Sequence, residues 1–538
     1  MNKRRNPQTE RCTLEMKVSF NLLDEPWIPV RSANANDPPV ILLSLTEVFK
    51  RSNEIRRIEH VRPLVVAALY RLLVAICVRA LPPERDAERH RHRLLELSNT
   101  GLPVDSILAY LEASRGRFDL FNPDDPFMQV AGIEEQAWCD AWYRLTAEDG
   151  SGNTSAISNP QNRLNADDVI QPISASEAAC LLVAHQQYAL GGLIKRIITS
   201  SQSAKNAPAA TFVLEGPTLT QTLLLNTPHM RATEFRADVA WWERARLTRA
   251  MIEAQQQVVY DGFVSAWTWP SRALLLVPQV EEGEIVVRNV YYAPGVPMAD
   301  TDVQLSKDPL CAYRTTKDGV QLPLRISVDR AMWRNCQTFL PTGLAGTTPP
   351  YVIEQALSLN EDMNGEPHAL SAWTIRVLGQ ANDKSKVDLV LDESFTISAD
   401  VLHAHMGRVE EAVTAIDTVG SALRASMYVF ANEVLSTAEK SADPDAAKKL
   451  AESTRTVERY WWLMNGVFTR FLAGQGTEDE YVRLVEDVLH TASTLLSRSV
   501  EGQGMNKRII RGVAPAYRTF YNAVSALRSI TKAQEVTK

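Results

Sequence analysis

The chain has 538 residues, 45% hydrophobic and 22% charged, the balance of a folded soluble protein too long for one ordinary core, so two or more domains are expected. A net charge of −7 excludes a nucleic-acid binder that works through a generally basic surface; either the chain does not touch nucleic acid, or a few placed loops do so while partners supply the positive charge. Six cysteines with no CxxC pair argue against a disulfide framework and a cysteine zinc site.

Residues 1–15 are polar and basic with no apolar period, which predicts a flexible extension. Phe20 to Arg31, FNLLDEPWIPVR, gathers Asp24, Glu25, Pro26, Trp27 and Pro29 into a turn that runs into a strand. Ile28–Val30 and Val40–Leu43 read as strands, and Pro63 opens an apolar helix to about Leu81. Its longest apolar run, Leu64–Val78, is interrupted by Arg71 and falls short of a membrane span. No segment has the order of a signal peptide, so a cytoplasmic protein without membrane contact is expected. Strand-like runs return at Leu274–Val280, Ile285–Tyr292, Gln321–Ile326, Trp373–Val377 and Val387–Leu391, bounded by Gly, Pro, Asn and Asp.

After Phe395 the period changes to that of helices. Ser398 is placed to cap a helix with apolar residues at Leu402, Met406, Val409, Val413, Ile416, Leu423, Met427 and Phe430. A second has Asp443 as N-cap, Pro444 at N1, a seam from Leu450 through Val457, Trp461, Met464 and Phe468 to Phe471, and Gly474 as its stop. Thr477 and Glu480 form a capping box for a third, carrying Leu484, Val488, Ala492 and Leu495. Pro515 opens a fourth with Phe520, Val524 and Leu527 on one side. The reading is an α+β chain: a mixed α/β domain over 16–397, then a four-helix bundle over 398–538.

FNLLDEPWIPVR is similar to the start of the CasA family, the large subunit of the type I-E CRISPR Cascade surveillance complex. Further strings follow in that family's order: FNPDDPFMQV (Phe121–Val130), SGN (Ser151–Asn153), TLTQTLLLN (Thr218–Asn226), VAWWERA (Val239–Ala245), AWTWPSR (Ala266–Arg272), DPLCAYR (Asp308–Arg314) and DRAMWRN (Asp329–Asn335). The resemblance covers nearly the whole chain from Phe20. It implies a subunit that recognises the protospacer-adjacent motif (PAM) in double-stranded DNA, helps open the duplex and stabilise the R-loop, and recruits a separate helicase-nuclease, while guide pairing reads the target. The implied partners are the backbone, small and 5′-handle subunits, the CRISPR RNA and the target DNA, with no cofactor.

The same resemblance assigns residues. Gly191 and Gly192 fall where the family carries a glycine loop near the PAM, with Lys195 and Arg196 following; glycine lets backbone approach a base edge. A helix C-cap at Gly191 is an equally good reading of the bare sequence. Gly379–Lys386, GQANDKSK, matches the hairpin that wedges against the first base pairs, with Lys384 or Lys386 on phosphate. Relatives often place glutamine at its tip; here Asn382, Asp383 and Lys384 occupy the tip and Gln380 stands earlier, so the wedging residue stays open. Gly152, Asn153, Ile157 and Asn159 match a loop that contacts the guide-RNA 5′ handle and orders on assembly. Arg314 and Lys317 fall in a polar turn where the family gathers basic residues toward the displaced strand; the basic cluster Lys507, Arg508 and Arg511, read from its charge alone, is placed on the same strand, with a partner contact or a solvated helical face as equal alternatives. The family's minor-groove lysine has no counterpart around Tyr291–Pro297.

No catalytic set is legible. There is no GxxxxGK[ST] loop, and His403 and His405 point to different helix faces. Asp124-Asp125 and Asp167-Asp168 are adjacent in loops, as turns require. A metal-free binding subunit is therefore expected rather than an enzyme, the rivals being an uncharacterised nucleic-acid hydrolase and a protein-docking scaffold without DNA contact.

Overall fold

The indole of Trp27, fully buried, donates to Leu22 O at 3.0 Å and so pins the opening turn against the strand that follows it. The computed structural model describes residues 18–34, 36–146, 170–300, 307–341, 343–362, 372–383, 386–398, 401, 405–437, 439–502 and 506–537. They fall into two compact units. The first takes its described residues from the stretch up to Val328, from Thr348–Asn364 and from Ile375–Ser394; the second from Asp329–Thr347, from Gly365–Thr374 and from Phe395 onward.

In the first unit, strand β1 (Ile28–Ser32) lies between β2 (Ile41–Leu43) and β3 (Ile55–Ile58), antiparallel to both. Helix α1 (Pro63–Ala80) has Pro63 in its first turn and buries every residue from Leu64 to Val78. Contrary to the sequence expectation, this helix is long and apolar enough to pass as a membrane span; 83% of that window is buried inside the protein, as in a core helix. Farther along the chain, beyond helices at Ala87–Thr100 and Val104–Glu112, lie strand β4 (Trp138–Ala141) and α2 (Ala175–Tyr188), the latter N-capped by Ser174 and packed on α1, where Gln187 donates to Ala68 O. A short hairpin, β5 (Ile194–Arg196) and β6 (Ile198–Ser200), precedes β7 (Thr211–Glu215).

The long hairpin β8 (Arg272–Glu281) and β9 (Glu284–Pro294) turns at Glu282 and Gly283, both at positive φ as a primed two-residue turn requires, and β9 also pairs with β4. Then come β10 (Tyr313–Thr315) and β11 (Gln321–Pro323), shorter than the Gln321–Ile326 run foretold, because Leu324 turns inward to pair with Ala312 and Ala210. Strands β12 (Ala372–Asp383) and β13 (Lys386–Ser398) outrun their sequence limits and form a sheet in the order β13, β12, β7. Arg376 fastens it: its guanidinium bonds Asp392 on β13 and Glu215 on β7 and reaches Ile58 O at the end of β3.

The second unit is helical: α3 (Met406–Leu435), α4 (Pro444–Ser453), α5 (Thr456–Ala473), α6 (Glu478–Glu501), α7 (Lys507–Ala523) and α8 (Ser525–Thr537). The expected seams face inward, with Val409, Ile416, Leu423, Met464, Phe468, Val488, Ala492 and Phe520 buried. Four details differ. Ser398 accepts from Val401 N and Val401 is helical, as expected of a cap, but His405 is not helical, the long helix starts at Met406, and Leu402 lies outside the described residues. The second helix breaks after Ser453, where the Ser453 and Thr454 hydroxyls bond back to Leu450 O and Ala451 O and Arg455 turns to φ 52°. Thr477 caps α6, but the Glu480 carboxylate accepts from Gln475 N and Gly476 N rather than from Thr477. Pro515 sits inside α7, because Asn506, whose side chain accepts from Arg508 N and Ile509 N, is the stronger cap and starts the helix earlier. Trp333 and Arg334 of the DRAMWRN string belong to this unit: the Arg334 guanidinium lies 3.6 Å over the Trp461 ring while bonding Asp417 at 3.0 Å.

Candidate nucleic-acid interface

Loop 190–203 grows from the end of α2. Ala189, not Gly191, caps that helix, its N–H donating to His185 O, so the helix-cap reading of Gly191 fails. The β5–β6 register sets Ile194 opposite Ser200 and Arg196 opposite Ile198, leaving Ile197 as a one-residue turn at φ 57°, where a β-branched side chain is strained by about 1–3 kcal/mol. At the base the limbs meet: Ala204 N donates to Ala189 O at 2.8 Å. A Cβ on Gly191 would stand 2.7 Å from Ser201 O, so its missing side chain is what lets the limbs close. Gly192 is half-buried, Lys195 is exposed, and Arg196 donates to Lys195 O at 3.4 Å.

Arg272, 3% exposed, clasps the neck of this loop: one guanidinium nitrogen donates to Leu190 O at 2.9 Å and to Gln202 O at 2.7 Å. Its Nε–H donates to Tyr292 Oη at 3.2 Å. Leu145 O can only accept, so His185 Nδ1–H donates to it at 3.0 Å and His185 Nε2 accepts from the Tyr292 hydroxyl at 3.1 Å. Burial, reinforced by Arg272 and Arg144, pushes His185 down to about 3. Unfolded, it would titrate near the ordinary histidine value of 6.5, so the unfolded chain binds the proton first and stability, full above that pH, falls as pH drops toward 3. The loss from this one group between pH 6.5 and 5 is about 2 kcal/mol. Urea midpoints measured at pH 7 and pH 5 are expected to differ more for the natural chain than for His185→Gln; equal slopes would remove His185 from the acid response.

The β12–β13 hairpin has strands described up to Asp383 and from Lys386, with Lys384 outside the described residues. Asn382 is half-buried and Asp383 exposed. Lys386 Nζ lies 2.8 Å from Asp388, which raises its pKa and competes with any phosphate for it. Gln380 is not at the tip: it is 1% exposed, and its Nε2 donates to Tyr188 O and to Ala207 O, both at 3.1 Å. Gly379, at φ 154°, is needed because a Cβ there would meet Ile326 at 2.8 Å and Ala209 O at 3.1 Å.

Arg314 is exposed on β10 opposite Leu322, and Lys317 is exposed in the turn beyond. The root of this hairpin also rests on β7: Ala210 N donates to Leu324 O, and Phe212 N to Leu310 O. The segment Ala207–Phe212 is therefore the shared root of three projecting elements: the loop carrying Gly191 and Lys195, the hairpin carrying Asn382 and Asp383, and the hairpin carrying Arg314 and Lys317.

Lys507, Arg508 and Arg511 belong to the second unit. Lys507 and Arg508 are exposed in the first turn of α7, whereas Arg511 bonds Glu433 O and Ser436 O at the end of α3 and pairs with the Glu433 carboxylate at 3.5 Å. Arg511 thus serves as a C-terminal cap for α3. Gly152, Asn153, Ile157 and Asn159 lie outside the described residues. Among the described residues no group of three or more His, Cys, Asp or Glu is placed to hold a metal ion. Arg272 was missed: it ends the AWTWPSR string, and nothing local announces that it reaches back to Gln202.

Comparison with known proteins agrees over nearly the whole chain. The family model for CRISPR-associated protein Cse1 matches residues 21–499. CRISPR-associated protein CasA/Cse1 of Thermus thermophilus is 32% identical over 462 residues, covering 84% of this chain and 87% of that protein. The solved structure of Thermus thermophilus CasA (Cse1) superposes with a TM-score of 0.80 at 29% identity, covering 94% of this chain and 99% of that one. A chain of a structure described as a CRISPR RNA-guided surveillance complex has the same fold, with a TM-score of 0.75 at 20% identity over 94% of this chain and 99% of its own.

Proposed function

The chain belongs to the CRISPR-associated protein Cse1 (CasA) family, and from that premise we propose that it is the large subunit of a cytoplasmic, type I-E, RNA-guided surveillance complex. In this role it recognises the PAM in double-stranded DNA, helps part the first base pairs, stabilises the displaced strand and recruits a separate helicase-nuclease. It acts by binding, together with the backbone, small and 5′-handle subunits and the CRISPR RNA. The observation that carries the reading is the shared root at Ala207–Phe212, from which three elements with exposed polar or basic residues project. An acidic protein meets DNA best through such placed contacts. Loop 190–203 approaches the duplex beside the PAM, the β12–β13 hairpin enters beside the first base pairs, and Arg314 and Lys317 take phosphates of the displaced strand.

The test is assembly with and without this chain. Complexes of the remaining subunits and guide RNA, with this chain present or omitted, are titrated with duplex targets whose flanking motif is randomised. Omission is expected to abolish motif preference and to weaken duplex binding at least about tenfold, a loss of about 1.4 kcal/mol. Unchanged preference and affinity would sink the proposal.

A further inference from the structure

We infer that Gln380 is a positioning residue that couples loop 190–203 to the β12–β13 hairpin, so that engagement of the loop by DNA is transmitted to the hairpin tip. The inference rests on the proposal above that both elements contact the duplex. Gln380 lies in β12, three residues before Asp383, at a position facing the core where an aliphatic side chain would ordinarily fill the space. Its amide instead spans the two ends of the loop segment: Tyr188 O, just before the loop leaves α2, and Ala207 O, just after it returns. Its Oε1 is buried with no hydrogen-bond partner among the described residues, so the side chain is held there for its two N–H groups at the expense of its acceptor. Gly379 beside it removes the Cβ that would push β12 off Ala209. On the other side Arg272 ties Leu190 O to Gln202 O, and Ala204 N closes on Ala189 O. A shift of the loop limbs therefore pulls on the two carbonyls that Gln380 holds, and through them on the strand leading to the tip.

The experiment uses the assembled complex with guide RNA and a duplex carrying 2-aminopurine in the base pairs next to the motif. Replacing Gln380→Leu keeps the packing and removes both N–H groups. Affinity for motif-bearing duplex is expected to stay within about twofold of the natural complex while the rate of base-pair opening falls about tenfold, the split expected when two sites are uncoupled. Opening that is unchanged, or that falls by the same factor as binding, overturns the coupling. A natural complex with no motif dependence in either readout would instead refute the underlying proposal. If Gln380→Leu does not assemble, hydrogen exchange decides. Motif-bearing duplex is expected to slow exchange in both 189–207 and 378–389, and Asp383→Ala to weaken the protection of 189–207 several-fold; full protection there in Asp383→Ala overturns the inference.

Discussion

Replacing Asp308 with alanine is expected to destabilise the first unit by about 3–5 kcal/mol, because it strands a fully buried guanidinium. Arg71 is in the middle of α1, shielded from solvent, and its Nη2 donates to Asp308 Oδ2 at 2.6 Å. The same carboxylate oxygen accepts from Trp267 Nε1 at 2.9 Å, while Oδ1 takes the Leu310 amide at 2.9 Å. Burial pulls the Arg71 pKa down and the Asp308 charge holds it up; without the carboxylate the guanidinium, which does not deprotonate in proteins, is left as a lone buried charge. The double variant Asp308→Ala with Arg71→Met removes both charges and is expected to recover more than half of the loss, since an apolar pair costs little where a lone charge costs much. Urea unfolding followed by tryptophan fluorescence reads this, the transition of the first unit being fitted separately from that of the second. A single variant within about 1 kcal/mol of the natural chain would show that water or another acceptor reaches Arg71. The position matters for the site, because Arg71 also bonds the Tyr188 hydroxyl, which in turn contacts Thr211 Oγ1 at 2.9 Å, within the shared root itself.

That knot also shows what the sequence could and could not reveal. The strings that carried the family resemblance are largely scaffold: Trp27 pins the opening turn, Gln129 of FNPDDPFMQV bonds Leu120 O and Leu276 N, Asp308 of DPLCAYR holds Arg71, and Trp333 of DRAMWRN packs 5.0 Å from Phe468. The bundle was legible because its information is local: a repeating apolar seam, Asp443 and Pro444 at a helix start, Gly474 at a stop. It failed at Pro515 and Ser453, where one local signal outranked another. The candidate site was legible only as loop positions. Its construction depends on partners far apart in the chain, Gln380 with Tyr188 192 residues away and Arg272 with Gln202 70 residues away, and no local pattern encodes such pairings. Gln380 is the sharpest case: the sequence left the wedging residue open beside it, yet it is buried and its donors are already used.

Gly191→Val separates a structural from a recognising glycine. The added Cβ would lie 2.7 Å from Ser201 O and 3.5 Å from Ser203 N, backbone atoms that cannot rotate away, so the limbs of the loop have to part. Overpacking of this kind costs about 1–3 kcal/mol where the surroundings are rigid. Here the surroundings are a surface loop whose own core is only Ala189, Ala204 and Ala207 with Leu190 against it, and parting the limbs discharges the strain locally. Global unfolding is therefore expected to shift by less than about 1 kcal/mol, since α2 and β7 keep their packing on either side. Motif-dependent duplex binding by the assembled complex is expected to fall about tenfold or more, because Lys195 and the backbone around Gly191 leave the position from which, in the proposed function, they meet the groove. Unchanged motif preference together with unchanged stability would take this loop out of the site. A large drop in global stability would mean that the closure of the loop is part of the core, and that its glycine is there for folding rather than for DNA.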